Sequence, residues 1–387
     1  MADLLQDKGE FYMSENIQQG RRDFIKMMSI LGVAMVAQPV FNRAEAKIFG
    51  NDKLITKYRT LGSGTAAMTV TALGFGCMGM SYNRGPAKDE KEMTKLLHKA
   101  VDYGITLFDT AEIYGPHTNE ILVGKALHKY KDIAVTTKFG HKIVDGKYYH
   151  GELDSSPKQI RKVCDESLKR LRRDVIDMFY QHRFDPKVPV EDVAGTVKEL
   201  IQEGKVKHFG MCEVSPEIIR KAHAVQPITA IQSEYHLMWQ EPEKNIFPTL
   251  EELGIGFVPY SPLNRGYLTG ALNEFTKFDA STDNRATLPR FTPEAMKANM
   301  IIVDTIKEFG KSKGATSAQV ALAWLLHKRP YIVPIPGTTV DAHLRENLAS
   351  VNFEWSDKEW QELENKIAKI EIAGDRYNAE QQKQVVK

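Results

Sequence analysis

Residues 105–138 read ITLFDTAEIYGPHTNEILVGKALHKYKDIAVTTK, and this stretch decides the fold. It opens on a short apolar run from Ile105 to Asp109 and closes on a β-branched one from Ile133 to Lys138, with a helical pattern from Asn119 to His128 between them. Strand, helix and strand in that order make a βαβ unit. Its two strands run parallel, because the crossover helix returns the chain to the same end of the sheet. Neither strand alternates cleanly between apolar and polar residues, as expected where a packed interior lies on one face and helices on the other.

The same unit recurs outward in both directions. Strands are expected at Thr71 to Gly76, Ile105 to Asp109, Ile133 to Lys138, Ile176 to Gln181, Val206 to Met211, Ile228 to Gln232, Gly256 to Tyr260 and Ile332 to Ile335. Helices are expected at Asp89 to Tyr103, Asn119 to His128, Pro157 to Leu171, Val190 to Gln202, Pro216 to His223, Asn245 to Leu253 and Ser317 to His327. Ser156-Pro157 and Ser215-Pro216 are helix starts, since the hydroxyl caps free amides and proline suits the first turn. Gly104, Gly204 and Gly254 stand at helix ends, where a positive φ is needed. Eight such units predict an α/β fold of (β/α)8 TIM-barrel type. Tyr58 to Val70 reads as an N-terminal hairpin turning at Gly62-Ser63-Gly64, Leu263 to Thr292 as a long loop with short helical pieces, and Ser356 to Ile372 as an extra C-terminal helix. One barrel domain is therefore expected over 54–372, with 373–387 as a mobile tail.

Composition narrows the function classes. The 387 residues carry a formal charge of +2, with 42% hydrophobic and 26% charged residues. No long basic stripe interleaved with aromatics is present, so a nucleic-acid partner is not expected. The three cysteines, Cys77, Cys164 and Cys212, are widely spaced and match neither a disulfide framework nor a zinc site, so no metal is expected. No GxGxxG follows a strand and no GxxxxGK[ST] occurs, which leaves Rossmann and P-loop readings without support.

The N-terminus reads as an address. Gly20 to Lys26 (GRRDFIK) pairs Arg21 with Arg22, an apolar run follows from Met27 to Ala37, and Ala44-Glu45-Ala46 supplies a small-x-small cleavage pattern. This order resembles a twin-arginine signal peptide over 1–46, with a mature start near Lys47. It implies the twin-arginine translocation machinery as a partner and a periplasmic or exported protein. The alternatives are tethering by an uncleaved signal, or a cytoplasmic location.

The run from Phe108 to Gly115, FDTAEIYG, resembles the aldo/keto reductase family, in which an aspartate and a tyrosine stand in this relation at the end of the second strand. Asp109 and Tyr114 match that pair, Lys138 in TTKFG ends the third strand, and His182 in YQHR ends the fourth. These residue types suit carbonyl reduction. Hydride addition leaves an alkoxide unless an acid supplies a proton, and Tyr114 is that acid in this reading. Lys138 is expected to lower the phenol's pKa, Asp109 to hold Lys138, and His182 to orient the carbonyl oxygen.

The resemblance also implies NADP, with NAD as the lesser expectation. Cys212 stands where the family commonly has a serine, followed by Glu213, and a thiol is the weaker donor to a carboxamide. Gln232 matches the carboxamide-binding glutamine and Tyr260 the aromatic stacking on the nicotinamide, with Ser261 and Leu263 leading toward the pyrophosphate. Gly337, Thr338, His343, Glu346 and Asn347 fall in the adenine and 2′-phosphate region. Val340 and His343 replace cations that relatives often carry there, which weakens phosphate binding at those two positions. The runner-up function is a nucleotide-binding, redox-sensing or regulatory subunit on the same fold. A metal-hydrolase barrel would need more clustered histidines and carboxylates than the strand ends offer.

Overall fold

A computed structural model describes residues 53–383 and 385; the expected signal segment, 1–46, lies outside the described residues. The chain enters through an antiparallel hairpin, β1 (Tyr58–Leu61) and β2 (Met68–Thr71), paired from Tyr58 opposite Thr71 to Leu61 opposite Met68. The barrel then begins with β3 (Phe75–Gly76), β4 (Leu107–Asp109) and β5 (Ala134–Phe139). A side hairpin follows, β6 (His141–Val144) with β7 (Lys147–Leu153), before the barrel resumes with β8 (Ile176–Gln181), β9 (Val206–Cys212), β10 (Ile228–Glu234) and β11 (Gly256–Tyr260). The seven barrel strands are all parallel, in the order β11-β10-β9-β8-β5-β4-β3.

The eighth segment closes this sheet without forming a regular strand. Val333 and Ile335 donate their amides to Phe257 and Pro259 of β11, at 2.9 and 3.2 Å, while Gly74 and Gly76 donate to the carbonyls of Pro334 and Pro336 at 2.9 and 3.3 Å. Prolines have no N–H to return, so the bonds toward β3 run in one direction only. That is why the expected strand at Ile332 to Ile335 is reduced to a bridge from Phe257 to Ile332. The expected first strand, Thr71 to Gly76, also divides: Thr71 ends the hairpin and only Phe75 and Gly76 enter the barrel.

Helices α1 (Glu90–Asp102), α2 (Thr118–Leu127), α3 (Pro157–Leu171), α4 (Val190–Gln202) and α5 (Pro216–Val225) cover the outside at the expected places. Two short helices, α6 (Glu241–Asn245) and α7 (Phe247–Leu253), precede β11. Then comes α8 (Pro293–Lys311), which the sequence reading missed although Thr292 caps it by accepting from the Ala295 amide and proline opens it. Further on lie α9 (Ser317–Lys328), α10 (Asp341–Ala349) and α11 (Asp357–Ile367), the last being the expected extra helix with Ser356 and Glu359 as its capping box. A final turn, α12 (Ala379–Gln382), lies within the segment read as a tail.

Two apolar layers hold these elements. The larger lies between strands and helices. The smaller fills the barrel and joins Leu61, Met68 and Val70 of the hairpin to Met178, Tyr180, Val258 and Val333, so the hairpin plugs one end. Each fully buried aliphatic side chain there stabilises the closed form by roughly 1.5–3 kcal/mol. Gly210 is required where it stands, because a Cβ would lie 2.4 Å from the Tyr180 ring.

Candidate active site

Strand register brings the four predicted side chains to the mouth opposite that plug. Gly76 pairs with Asp109, Asp109 with Thr136, and Lys138 with Tyr180, so Asp109 and Lys138 meet at adjacent strand ends and His182 follows directly after β8. Lys138 is fully buried. Its ammonium donates to Asp109, to the Thr110 carbonyl at 2.8 Å and to the Tyr114 hydroxyl at 3.4 Å, which uses all three of its protons. Asp109 in turn accepts from Thr136 Oγ1 at 2.8 Å and Gln232 Nε2 at 3.0 Å. A buried ammonium persists only when so satisfied. Burial works against the Lys138 charge, but Asp109 and Tyr114 together hold its pKa above the ordinary lysine value.

The phenol behaves differently from expectation. Burial pushes Tyr114 up to about 12, and Lys138 opposes this without overcoming it. A phenolate in this pocket would lose more hydration than one ammonium returns, so the neutral acid form prevails. His182 stands edge-on to Tyr114, with ring centroids 5.8 Å apart. Burial, then His141, holds its pKa well below the ordinary histidine value. It is a neutral imidazole, and its Nδ1 is buried with no partner among the described residues.

These groups open into a cleft of about 1170 Å³, whose wall includes Asp109, Tyr114, His182, Cys212, Gln232, Tyr260, Ser261, Leu263, Gly337, Thr338, His343, Glu346 and Asn347. Of the predicted residues only Lys138 and Glu213 lie behind it. Cys212 is buried, and its thiol is pushed up to about 12 by burial. Gln232 turns its amide to Asp109, so it braces the aspartate as well as facing the cleft. Glu213, read from the resemblance as a cofactor contact, departs from that role. Its carboxylate accepts from Tyr260 Oη and the Glu234 amide, both at 2.8 Å, and from Arg376 at 3.0 and 2.9 Å, so the side chain is engaged behind the cleft wall and holds Tyr260 in place. Segment 373–387, read as a tail, thus contributes a buried cation to the rim.

A family model described as the aldo/keto reductase family matches residues 72–368. The chain belongs to the aldo/keto reductase family. It is 40% identical over 316 residues to a probable aldo-keto reductase from Glycine max, spanning 81% of this chain and 90% of the relative. Among solved structures it resembles a glycerol dehydrogenase from Gluconobacter oxydans, at 27% identity with a TM-score of 0.73, covering 81% of this chain and 96% of that one. An aldo-keto reductase from Bacillus halodurans, in its holo form, shares the fold at 24% identity with a TM-score of 0.67, over 84% and 99% of the two chains. This chain is therefore an oxidoreductase, and the family implies a small carbonyl compound as its substrate.

Several cleft residues of this aldo/keto reductase escaped the sequence reading. His141 lies 4.9 Å from His182, ring to ring, and burial with Arg183 beside it lowers its pKa to about 3. Arg183 donates to the His182 carbonyl at 2.8 Å and has no carboxylate within ion-pair distance among the described residues. Both sit next to predicted strand ends, and that adjacency was the available signal. Arg84 is held by the Asn83 carbonyl at 2.5 Å and Asn284 Oδ1 at 2.6 Å, while burial, then Arg265 and Arg285, lowers its pKa to about 9. It reaches the cleft because its loop pairs with Asp283 across the mouth, a contact with no local sequence signature.

Proposed function

We propose that this chain reduces an aldehyde or ketone at the expense of NADPH, with Tyr114 as the general acid. The observation that carries the reading is the Tyr114 hydroxyl on the cleft wall, 3.4 Å from an ammonium that Asp109 keeps charged. A phenol with its pKa raised to about 12 holds its proton at neutral pH, as reduction requires. An alkoxide is more basic still, so transfer from Tyr114 runs downhill. Lys138 stabilises the phenolate left behind, which matters more in the transition state than in the ground state. His182, being neutral, offers one ring N–H to the carbonyl oxygen and fixes its direction.

The cleft suits a dinucleotide beside a small substrate, since typical small-ligand pockets span roughly 300–1,000 Å³. Tyr260 offers a ring face; Gly337 and Thr338 precede α10, and His343, Glu346 and Asn347 line the cleft along it. Bound NADPH supplies the hydride. Arg84, which makes no ion pair among the described residues, supports a phosphate-bearing dinucleotide despite Val340 and His343, because an anion beside it would add to Asp283 in offsetting the repulsion from Arg265 and Arg285.

The test is oxidation of NADPH and, in parallel, NADH by the chain beginning near Lys47 with a panel of small aldehydes. Turnover that favours NADPH is expected. Tight dinucleotide binding with no turnover of any aldehyde would favour the regulatory-subunit alternative. The reading includes export: residues 1–46 act as a twin-arginine signal, and the barrel over 54–372 works in the periplasm. Export should stop when Arg21→Lys and Arg22→Lys are combined, and unchanged fractionation would contradict it.

A further inference from the structure

The C-terminal segment is delivered to the rim by directed contacts. The Ala373 amide and carbonyl exchange hydrogen bonds with the Asn299 side chain, each at 2.9 Å, and Arg290 Nε donates to the Gly374 carbonyl at 3.2 Å. Gly374 turns with φ +81°, and a Cβ there would lie 2.7 Å from the Pro289 carbonyl oxygen. The next residues then meet the cofactor side of the cleft. Arg376 is 4% exposed and grips both oxygens of Glu213, which is itself held at φ +52°. A non-glycine residue keeps that conformation only where its surroundings fix it. Tyr377 Oη lies 2.6 Å from Tyr260 Oη, whose proton goes to Glu213 Oε1 at 2.8 Å, so the Tyr377 hydroxyl is the donor in the pair. The Tyr377 ring is held beside two guanidiniums, Arg376 at 4.8 Å and Arg265 at 5.4 Å.

We propose that Arg376 and Tyr377 are positioning residues for the nicotinamide, locking Tyr260 from the rim so that its ring presents one fixed face to the cleft. The inference rests on the reading of Tyr260 as the stacking aromatic. One dipeptide holds both ends of the lock: Arg376 fixes the carboxylate that receives the Tyr260 proton, and Tyr377 donates to the same phenol oxygen. An anchor for the chain end alone would need the ion pair with Glu213 but no hydroxyl on the platform ring. The C-terminal segment is thereby a part of the active site.

The test compares the affinity of the full chain for NADPH with its affinity for 2′-phospho-ADP-ribose, which lacks the nicotinamide. Tyr377→Phe removes one hydroxyl and keeps the packing. It should weaken NADPH binding by about threefold to tenfold, the equivalent of one hydrogen bond, and leave the fragment unchanged. Arg376→Met should act in the same direction; should it fail to fold, Tyr377→Phe still decides. Equal weakening of both probes would assign the segment to the fold alone and overturn the proposal, as would no change in either. Wild-type chain that binds neither probe would overturn the cofactor reading itself, and this inference with it.

Discussion

The mouth of the barrel has two halves that differ in how they are held. Around β4, β5 and β8, Asp109, Lys138 and His182 are carried by strand ends and by residues directly after them, and Asp109 meets Lys138 and Thr136 of the next strand, with Gln232 of β10 as a partner from across the barrel. Around β9, β10 and β11, Glu213, Glu234 and Tyr260 are held by Arg265 and Arg376, from a loop and from the chain's end, and Arg376 is 163 residues away from Glu213 in sequence. The first half is set by the sheet, the second by side chains that arrive from afar. Register therefore accounts for most of the tetrad, whereas the rim around Tyr260 depends on tertiary contacts.

The contrast can be broken in order of size. Arg376→Met takes the guanidinium away from the buried Glu213 carboxylate, which costs about 3–5 kcal/mol of stability, and a lowered midpoint in thermal or denaturant unfolding would register it. An unchanged midpoint would mean that the rim does not need its long-range partner. Lys138→Met likewise strips the cation from a buried carboxylate, leaving Asp109 with two neutral donors, Thr136 and Gln232, so stability should fall by a comparable amount, and turnover per folded molecule should fall about 100-fold; parental turnover in the folded fraction would make the lysine a structural group. Val340→Lys, an exposed change near α10, should tighten NADPH against NADH by about tenfold, the worth of one charge-assisted contact, and constant selectivity would leave the 2′-phosphate to Arg84 and its neighbours. Smallest of all is the effect of pH. Tyr114 keeps its proton up to about 12, His141 stays neutral down to about 3, and His182 is held well below the ordinary histidine range. Reduction should then be nearly flat from about pH 6 to 8, below the value of about 9 to which Arg84 is lowered, and a break within that window would show one of these groups titrating there.

The same division explains what could be read from the sequence. Asp109, Lys138 and His182 stand at or just past the ends of apolar runs, which a barrel gathers at one mouth, and it was the resemblance of FDTAEIYG to the aldo/keto reductases that marked Tyr114 and joined the four as a set. The barrel itself was legible for the same reason, except at Pro334 and Pro336, whose missing amides leave the eighth strand half-bonded. Helix α8 was hidden within a stretch read as beyond the loop, although Thr292-Pro293 marks its start. The side hairpin β6–β7 was missed as well, and with it His141 on the wall of the cleft. Arg376 and Tyr377 gave no local signal, since only burial against Glu213 and Tyr260 distinguishes them from any polar chain end. The direction of the Tyr114 shift was likewise out of reach: a lysine nearby predicts a lowered pKa, and only the depth of the pocket reveals that desolvation wins.

Proton delivery by the Tyr114 hydroxyl is tested by single-turnover reduction of an aldehyde by Tyr114→Phe, with NADPH affinity measured on the same sample. The reduction step should slow by about 10²- to 10⁴-fold with affinity close to that of the parent. A variant that reduces the aldehyde at the parental rate would contradict it and move the acid to another group in the cleft.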